Sequence, residues 1–177
     1  WKRSRKTLDA ENSGTTLRLL TGLLAGQKFD CAITGDASLR RRPMKRVIEP
    51  LALMGAHIEA RESNFAPLEI HGTALHRIQY ALPVASAQVK SAILLAGLLA
   101  EGESSVEERV RTRDHTELAL AEFGATLRHE GSTVSVMGRP ALEPRKLSVP
   151  GDLSSAVFFL AAAMVLPGSK LLLHNVG

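Results

Sequence analysis

The sequence predicts an α/β protein built from repeated units, each with the order helix, strand, helix, strand, strand. Three observations predict this fold class. The letters GLLAG at 22–26 recur as GLLAEG at 97–102, each time at the end of an apolar helix. A second helix in each copy ends on a glycine, and two short strands follow it. A repeat of about 65 to 75 residues is typical of a fold assembled from copies of one supersecondary unit.

Each copy continues from its apolar helix into a strand, at 28–34 and at 103–108. An arginine-bearing loop then leads into the second helix, at 44–54 and at 114–123. Gly55 and Gly124 are expected to end these helices, because glycine adopts the left-handed cap conformation at little cost. The closing strands are predicted at 56–60, 68–71, 125–129 and 133–136. Helices this apolar are expected to pack together inside a ring of small sheets.

A third copy begins near Ser154, with a helix at 155–165 and a strand at 170–176. We therefore predict four segments along the chain, and both ends are expected to be cut from something longer. Residues 1–13 end a preceding unit, 14–80 and 81–149 form two complete repeats, and 150–177 begin a truncated third.

The composition is that of a globular protein, with 45% hydrophobic and 23% charged residues. No apolar run reaches the roughly 18 residues that span a bilayer, so 92–100 and 156–166 are interpreted as buried helices. The single Cys31 forms no internal disulfide and fits a reducing compartment. A net charge of +4 is a weak signal for nucleic acid and would equally serve anionic small substrates. No signal peptide is visible, so we expect a cytoplasmic protein without a membrane or nucleic-acid partner.

Polar residues stand directly before the first apolar helix. A helix start offers free backbone N–H groups and a positive dipole end, which suit a phosphate or a carboxylate. Gly14 would let an anion approach the backbone, with Asn12, Ser13 and Thr15 supplying polar side chains. Simple capping of the helix by Asn12 or Ser13 is the competing interpretation, and for this segment alone it is the favoured one.

The loop 35–43 (GDASLRRRP) joins a strand to the next helix, where α/β units commonly bind ligands. Arg42 is expected at the helix entrance, with Pro43 as the first helical residue. A guanidinium there could grip a carboxylate or phosphate with two hydrogen bonds. Arg40 and Arg41 are interpreted as solvated neighbours.

The second copy carries polar segments at the equivalent places. Ser86 is a natural cap, and Gln88 lies in the first helical turn, where its amide could reach a ligand. His115 beside Asp114 suggests a general base, but a surface histidine next to an N-terminal helix acid is the stronger interpretation. The six histidines and one cysteine show no metal-ligand spacing, so no metal site is expected.

These segments occupy equivalent helix entrances in the repeat. If the units pack with parallel helices, the polar segments converge on one face. That face would form an electropositive opening for a multiply anionic ligand.

Five segments resemble the 5-enolpyruvylshikimate-3-phosphate synthase family, in the family's order: 12–18 (NSGTTLR), 35–43, 85–91 (ASAQVKS), 112–117 (TRDHTE) and 150–156 (PGDLSSA). The resemblance implies a two-domain fold of six βαβαββ units, an inside-out α/β barrel with buried parallel helices and an active site between the domains. It implies transfer of an enolpyruvyl group from phosphoenolpyruvate to the 5-hydroxyl of shikimate 3-phosphate, with release of phosphate. No metal or organic cofactor is implied, and a monomer is expected.

The resemblance also implies roles for particular residues. Those expected at phosphoenolpyruvate are Gly14, Arg42 and Gln88. Those expected at shikimate 3-phosphate are Ser86, Ala87, Gln88, Arg113 and, with a weaker match, Thr112. Asn12 and Thr15 would shape the pocket, and Gly14 would leave room for the inhibitor glyphosate. Two departures are Glu11, where the family usually has glycine, and Ala87, where many members have serine.

The resemblance places no catalytic acid or base in this chain; those residues are expected before Trp1 and after Gly177, so the chain alone is expected to be inactive. Three alternatives remain open. The sister enzyme UDP-N-acetylglucosamine enolpyruvyl transferase typically carries a reactive cysteine where this chain has Ala37. A non-catalytic polyanion-binding domain and a degenerate structural domain are the others.

Overall fold

The computed structural model describes residues 1–176, which divide into two compact units, Trp1–Glu143 and the residues from 144 onward. The first unit contains two four-stranded sheets and four α helices. The elements of its first half are β1 (Leu8–Asp9), α1 (Gly14–Ala25), β2 (Cys31–Thr34), a 3-10 turn (Leu39–Arg41), α2 (Lys45–Leu53), β3 (His57–Arg61) and β4 (Phe65–His71). Those of its second half are β5 (Gln79–Ala81), α3 (Ala87–Gly97), β6 (Glu103–Glu107), α4 (His115–Glu122), β7 (Leu127–Glu130) and β8 (Thr133–Met137).

The two sheets share one topology. The first has the strand order β1-β2-β4-β3, and the second has β5-β6-β8-β7. In each, the first two strands are parallel and the remaining pairs are antiparallel. Each sheet therefore takes one strand from before its first helix, which gives the order βαβαββ. The predicted fold class, α/β with repeated βαβαββ units, is confirmed, while the unit boundaries proposed from the sequence stay a prediction.

The apolar helices α1 and α3 pack against each other at the centre of the first unit. Leu17 and Leu24 of α1 are buried, and so are Ile93 and Leu94 of α3. Gly22 permits the close approach, because a Cβ built there would lie 2.3 Å from the carbonyl oxygen of Ala92. The burial of the apolar segment at 92–100, predicted from its composition, is confirmed for most of its length.

The second helix of each half ends as the sequence predicts. Gly55 has φ of 92° and Gly124 has φ of 89°, so both take the left-handed conformation that follows a helix. The chain then turns back into β3 or β7 without strain on a side chain, since glycine has none.

Two strand predictions need correction. The strand expected at 28–34 begins only at Cys31. No strand is described within 170–176; the one pairing there is an isolated bridge between Gly151 and Val176. A strand needs a neighbour to satisfy its backbone N–H and C=O groups, and the short second unit offers no such partner.

The second unit contains one helix, α5 (Leu153–Val165), close to the predicted 155–165. The prediction that this helix is buried is wrong. Only Ala156 is buried, whereas Phe158 is 79% exposed and Met164 is 87% exposed. Apolar composition predicts burial only where a packing partner is present, and this helix has none within its own unit. Among residues 1–176, no helix is both long and apolar enough to cross a membrane.

Candidate anion-binding site at the helix entrances

Ser13 caps helix α1, whereas the Asn12 side chain forms hydrogen bonds with the arginine loop. The Ser13 hydroxyl accepts a hydrogen bond from the backbone N–H of Thr16 at 3.1 Å. The Asn12 carbonyl oxygen instead accepts from Nη2 of Arg42 at 2.8 Å, and its amide nitrogen donates to Asp36 at 2.6 Å. The capping interpretation therefore holds for Ser13 but not for Asn12, which joins the arginine loop to the helix entrance.

Arg42 stands between the 3-10 turn and α2. The prediction that Pro43 is the first helical residue is wrong, because α2 begins at Lys45 with Met44 as its N-cap. Asp36 fixes the loop by accepting from the backbone N–H of Leu39 at 2.7 Å. The hydrogen bond from Asn12, and to a smaller extent the one from the Leu39 N–H, hold the pKa of the Asp36 carboxyl below its usual value. The loop is thereby anchored to an ionised carboxylate, with Arg42 directed towards the entrance of α1.

Arg18 is the residue that the sequence interpretation missed. Its Nη1 donates to the side-chain oxygen of Gln88 at 3.0 Å and to the carbonyl of Gly14 at 3.3 Å. Its Nη2 donates to the carbonyl of Pro43 at 3.3 Å. Gln88 in turn donates to the Thr15 hydroxyl at 2.8 Å. The first turns of α1 and α3, 73 residues apart in the chain, therefore meet as the repeat predicted.

These residues form what we call the Arg18–Arg42 cluster: Asn12, Gly14, Thr15, Arg18, Arg42 and Gln88. Arg18 is half-buried, and burial lowers the pKa of its guanidinium, as do the positive charges of Arg42 and Arg46. Within residues 1–176, none of these three arginines forms an ion pair with a carboxylate. Concentrated positive charge beside a helix N-terminus, without a paired counter-ion, is an arrangement that attracts an anion.

Gly14 allows the two guanidinium groups of the cluster to approach the start of α1 closely. A Cβ built on Gly14 would lie 2.6 Å from Nη1 of Arg18 and 3.2 Å from Nη1 of Arg42. Both distances are shorter than ordinary van der Waals contact, so a side chain at this position would displace the two guanidinium groups from the helix start. The backbone N–H groups of α1 and the two arginines consequently face the same small space.

A second network lies behind the entrance of α3. Ser86 caps this helix, accepting from the N–H of Val89 at 3.4 Å, and Ala87 is the first helical residue. Lys90, only 1% exposed, pairs with Glu108 at 3.0 Å and with Glu117 at 2.6 Å. Glu108 also accepts from the Thr112 hydroxyl at 2.7 Å and from the Thr112 N–H at 3.1 Å. This network ties α3 and α4 to the loop that carries Arg113.

The charge of Glu108 is maintained by its partners. Burial acts to raise the pKa of the Glu108 carboxyl, but hydrogen bonds from Thr112 and Lys90, with the charge of Lys90, outweigh it and lower the pKa. A cavity of about 900 Å³ opens beside this network, lined among others by Lys90, Glu108 and Glu117. The carboxylates of Glu108, Asp114 and Glu117 balance the positive charges of Lys90, Arg109 and Arg111 in that wall, so the cavity carries no excess positive charge for an anion. The Arg18–Arg42 cluster is the better candidate site.

The 112–117 segment was expected to converge with the other helix entrances, but its side chains form no hydrogen bond or ion pair with the Arg18–Arg42 cluster in the described part of the chain. Arg113 is exposed and, within the described part of the chain, makes no hydrogen bond or ion pair with the Arg18–Arg42 cluster. Asp114 pairs with Arg111 at 3.0 Å, and that pairing lowers the pKa of its carboxyl. His115 is exposed and Asp114 occupies the N-cap of α4, which are the positions that the surface interpretation gave them.

The sequence held signals for the residues that were missed. Arg18 follows Gly14 by four residues, the spacing at which two residues share a helix face. Lys90 is the single charge in the apolar run of α3, and a charge in such a run requires a buried partner.

Comparison with known proteins gives the family. The family model for EPSP synthase (3-phosphoshikimate 1-carboxyvinyltransferase) matches residues 2–177. The chain belongs to the EPSP synthase family. The 3-phosphoshikimate 1-carboxyvinyltransferase of Solibacter usitatus is 57% identical over 170 residues, a match that covers 96% of this chain and 40% of that relative. The chain thus spans about two fifths of the length of the curated relatives that it matches.

Solved structures agree with this assignment. An EPSP synthase from Acinetobacter baumannii superposes with a TM-score of 0.84 at 50% identity, covering 98% of this chain and 39% of that one. The enolpyruvyl transferase NikO from Streptomyces tendae shares the fold, with a TM-score of 0.54 at 16% identity over 78% of this chain and 32% of that one. Cys31 lies half-buried on β2, where its burial and, to a smaller extent, the charge of Asp30 raise the pKa of its thiol. Position 37, where the alternative enzyme would carry its reactive cysteine, is alanine in this chain.

Proposed function

We propose that this chain supplies the substrate-holding part of an enzyme that transfers an enolpyruvyl group from phosphoenolpyruvate to the 5-hydroxyl of shikimate 3-phosphate, releasing phosphate, in aromatic amino-acid biosynthesis. Membership of the EPSP synthase family supports the reaction. One observation carries the site: Gly14, which has no Cβ, lets the guanidinium groups of Arg18 and Arg42 lie close to the N-terminus of α1. Phosphoenolpyruvate carries a phosphate and a carboxylate, both of which suit such donors.

Gly14, Arg42 and Gln88 are the proposed phosphoenolpyruvate residues. Arg42 uses Nη2 on Asn12, so its other N–H groups remain for the ligand. Gln88 already bridges Thr15 and Arg18, which places its amide between the two helix entrances. Asn12 and Thr15 shape the pocket by orienting Arg42 and Gln88. Arg18 acts with them, since its guanidinium holds Gln88 and lies next to Gly14.

Shikimate 3-phosphate is proposed to bind at Ser86, Ala87, Gln88 and Arg113, with Thr112 in a supporting role. The Ser86 hydroxyl accepts from Val89 and can still donate its own proton to a phosphate oxygen. Exposed Arg113 is free to turn towards a phosphate. Thr112 donates its hydroxyl proton to Glu108, so we assign it the narrower task of holding the loop that carries Arg113.

The catalytic acid and base are proposed to lie outside these residues, so the chain alone binds weakly and does not turn over. We further propose that residues 14–80 and 81–149 act as complete repeat units, with 150–177 starting a third. The whole enzyme is proposed to act as a cytoplasmic monomer with no nucleic-acid or membrane partner, and to be inhibited by glyphosate, for which Gly14 leaves room.

A chimera tests this function. The chain would replace the matching 40% of the Solibacter usitatus relative, and phosphate release from phosphoenolpyruvate and shikimate 3-phosphate would be measured. We expect turnover in the chimera and its loss in Arg42→Ala. The matched control is Arg41→Ala, an exposed neighbour that should retain activity. A folded chimera without turnover, or equal activity in the two variants, would contradict the proposal.

A further inference from the structure

Two histidines and a glutamate meet on one face of the first sheet. His57 of β3 and His71 of β4 are direct partners across the antiparallel pair, and Glu59 lies two residues after His57 on the same face. The imidazole rings stack with centroids 4.7 Å apart and planes 26° from parallel. Sequence spacing does not reveal this group, because strand register brings His57 and His71 together.

The geometry of these side chains is that of a partial metal site. One ligand-capable atom of each residue lies within 4.8 Å of the other two. Nε2 of His71 is 3.6 Å from a Glu59 carboxylate oxygen. That Nε2 atom is shielded from solvent and, among residues 1–176, has no hydrogen-bond partner. A shielded ring nitrogen without a partner is a group that a metal ion would satisfy.

Asp30 supports the orientation of His71. Its Oδ1 accepts from the backbone N–H of Gly72 at 3.1 Å and lies 3.8 Å from Nδ1 of His71. A metal-ligating histidine commonly has a carboxylate beside its second ring nitrogen, which sets the tautomer and directs the first nitrogen to the metal. Asp30 is held by the backbone in the position for this role.

We propose that His57, Glu59 and His71 bind one divalent transition-metal ion of the Zn²⁺, Ni²⁺ or Cu²⁺ class. Imidazole and carboxylate ligands together suit these ions, whereas Mg²⁺ and Ca²⁺ prefer oxygen alone. Zinc bonds of about 2.0–2.1 Å to nitrogen and oxygen place tetrahedral ligands roughly 3.4 Å apart. The ligand atoms, now up to 4.8 Å apart, would have to move closer to bind one ion, and His57 and Glu59 are exposed side chains with room to rotate. Water completes the shell.

The bound ion would connect the edge strand β3 to β4. In the order β1-β2-β4-β3, β3 is paired on one side only. A ligand that binds the folded chain and not the unfolded one stabilises the fold by mass action. The site shares no residue with the Arg18–Arg42 cluster, so its proposed role is structural and independent of the proposed reaction.

Calorimetric titration of the 177-residue chain with ZnCl₂ tests the proposal. We expect one ion per chain, with affinity reduced at least about 10-fold in His71→Ala and in Glu59→Gln, since even an outer-shell partner is worth that much. The matched control is His129→Ala, an exposed histidine on strand β7 of the other sheet, which should bind as the parent does. Equal affinity in all four proteins, or no binding, would overturn the site.

Two further measurements keep the result clear if a variant folds poorly. Cu²⁺ bound to the parent chain should show electron paramagnetic resonance coupling to two imidazole nitrogens, and to one in His57→Ala. Zn²⁺ should raise the melting temperature of the parent chain and of His129→Ala but not of His71→Ala, and Mg²⁺ should raise none. Coupling to no nitrogen, or a zinc-induced shift in His71→Ala equal to that of the parent, would refute the proposal.

Discussion

Replacement of Gly14 by alanine separates the proposed site from the stability of the helix that carries it. The new Cβ would lie 2.6 Å from Nη1 of Arg18, so the guanidinium must move by about 0.8 Å to reach ordinary contact. Arg18 donates three hydrogen bonds, at 3.0, 3.3 and 3.3 Å, and such a shift breaks at least one of them.

The size of the effect follows from these contacts. A hydrogen bond from a charged group contributes about 1.5–3 kcal/mol, and half-exposure of Arg18 places this one at the lower end. Displacement of the Arg18 guanidinium also weakens its attraction for a bound anion, and a loss of about 1.4 kcal/mol there corresponds to roughly tenfold weaker binding of phosphoenolpyruvate. The helix itself does not suffer, because alanine in place of glycine favours the helix by about 0.5–1 kcal/mol.

The chimeric enzyme provides the assay. In Gly14→Ala we expect the KM for phosphoenolpyruvate to rise about tenfold, with a free energy of unfolding within about 1 kcal/mol of that of the parent, because the gain from alanine offsets most of the lost hydrogen bond. Thr16→Ala, on the exposed side of the same helical turn, is the control and should leave the KM unchanged. An unchanged KM in Gly14→Ala, or a KM increase accompanied by a large loss of stability, would refute the reasoning about the Arg18–Arg42 cluster.

Three other predictions concern stability, measured by urea unfolding of the chain. Lys90→Met leaves the carboxylates of Glu108 and Glu117 without their buried counter-charge and should cost about 3–5 kcal/mol; a loss below about 1 kcal/mol would contradict the network. Glu11→Gly should stabilise by about 0.5–1 kcal/mol, because Glu11 has φ of 49°, where a side chain is strained; destabilisation would show that the Glu11 side chain matters more. The pKa of the Glu108 carboxyl is lowered in the folded chain. As the pH falls, this carboxyl therefore takes up a proton in the unfolded chain first, near the ordinary glutamate pKa of about 4.3. The stabilisation that Glu108 contributes is therefore complete above about pH 5 and is lost as the pH falls through the pKa of the folded state. In Glu108→Gln, the free energy of unfolding should fall less steeply over this acidic range.

The helices were predictable because their signals are local. Apolar runs and terminal glycines gave α1, α3 and both left-handed caps at Gly55 and Gly124. The prediction of a strand at 170–176 was wrong because strand formation depends on a non-local pairing partner, which the local sequence does not indicate. The exposure of α5 has the same cause.

The site was predictable in part. Equivalent positions in the repeat implied that the entrances of α1 and α3 meet, and the hydrogen bond between Thr15 and Gln88 shows that they do. The role of Arg18 depends on the missing Cβ of Gly14, a distance that no spacing rule contains. The pairing of His57 with His71 depends likewise on strand register.

Anion binding at the entrance of α1 is the central element of the proposed function. Titration of the ¹⁵N-labelled chain with phosphoenolpyruvate, followed by amide resonances, tests it most directly. We predict that the largest shifts fall on the amides of Gly14, Thr15 and Gln88, that Arg42→Ala removes them, and that Arg41→Ala retains them. Shifts centred on the basic residues Lys2, Arg3, Arg5 and Lys6, or shifts unaffected by Arg42→Ala, would contradict the account.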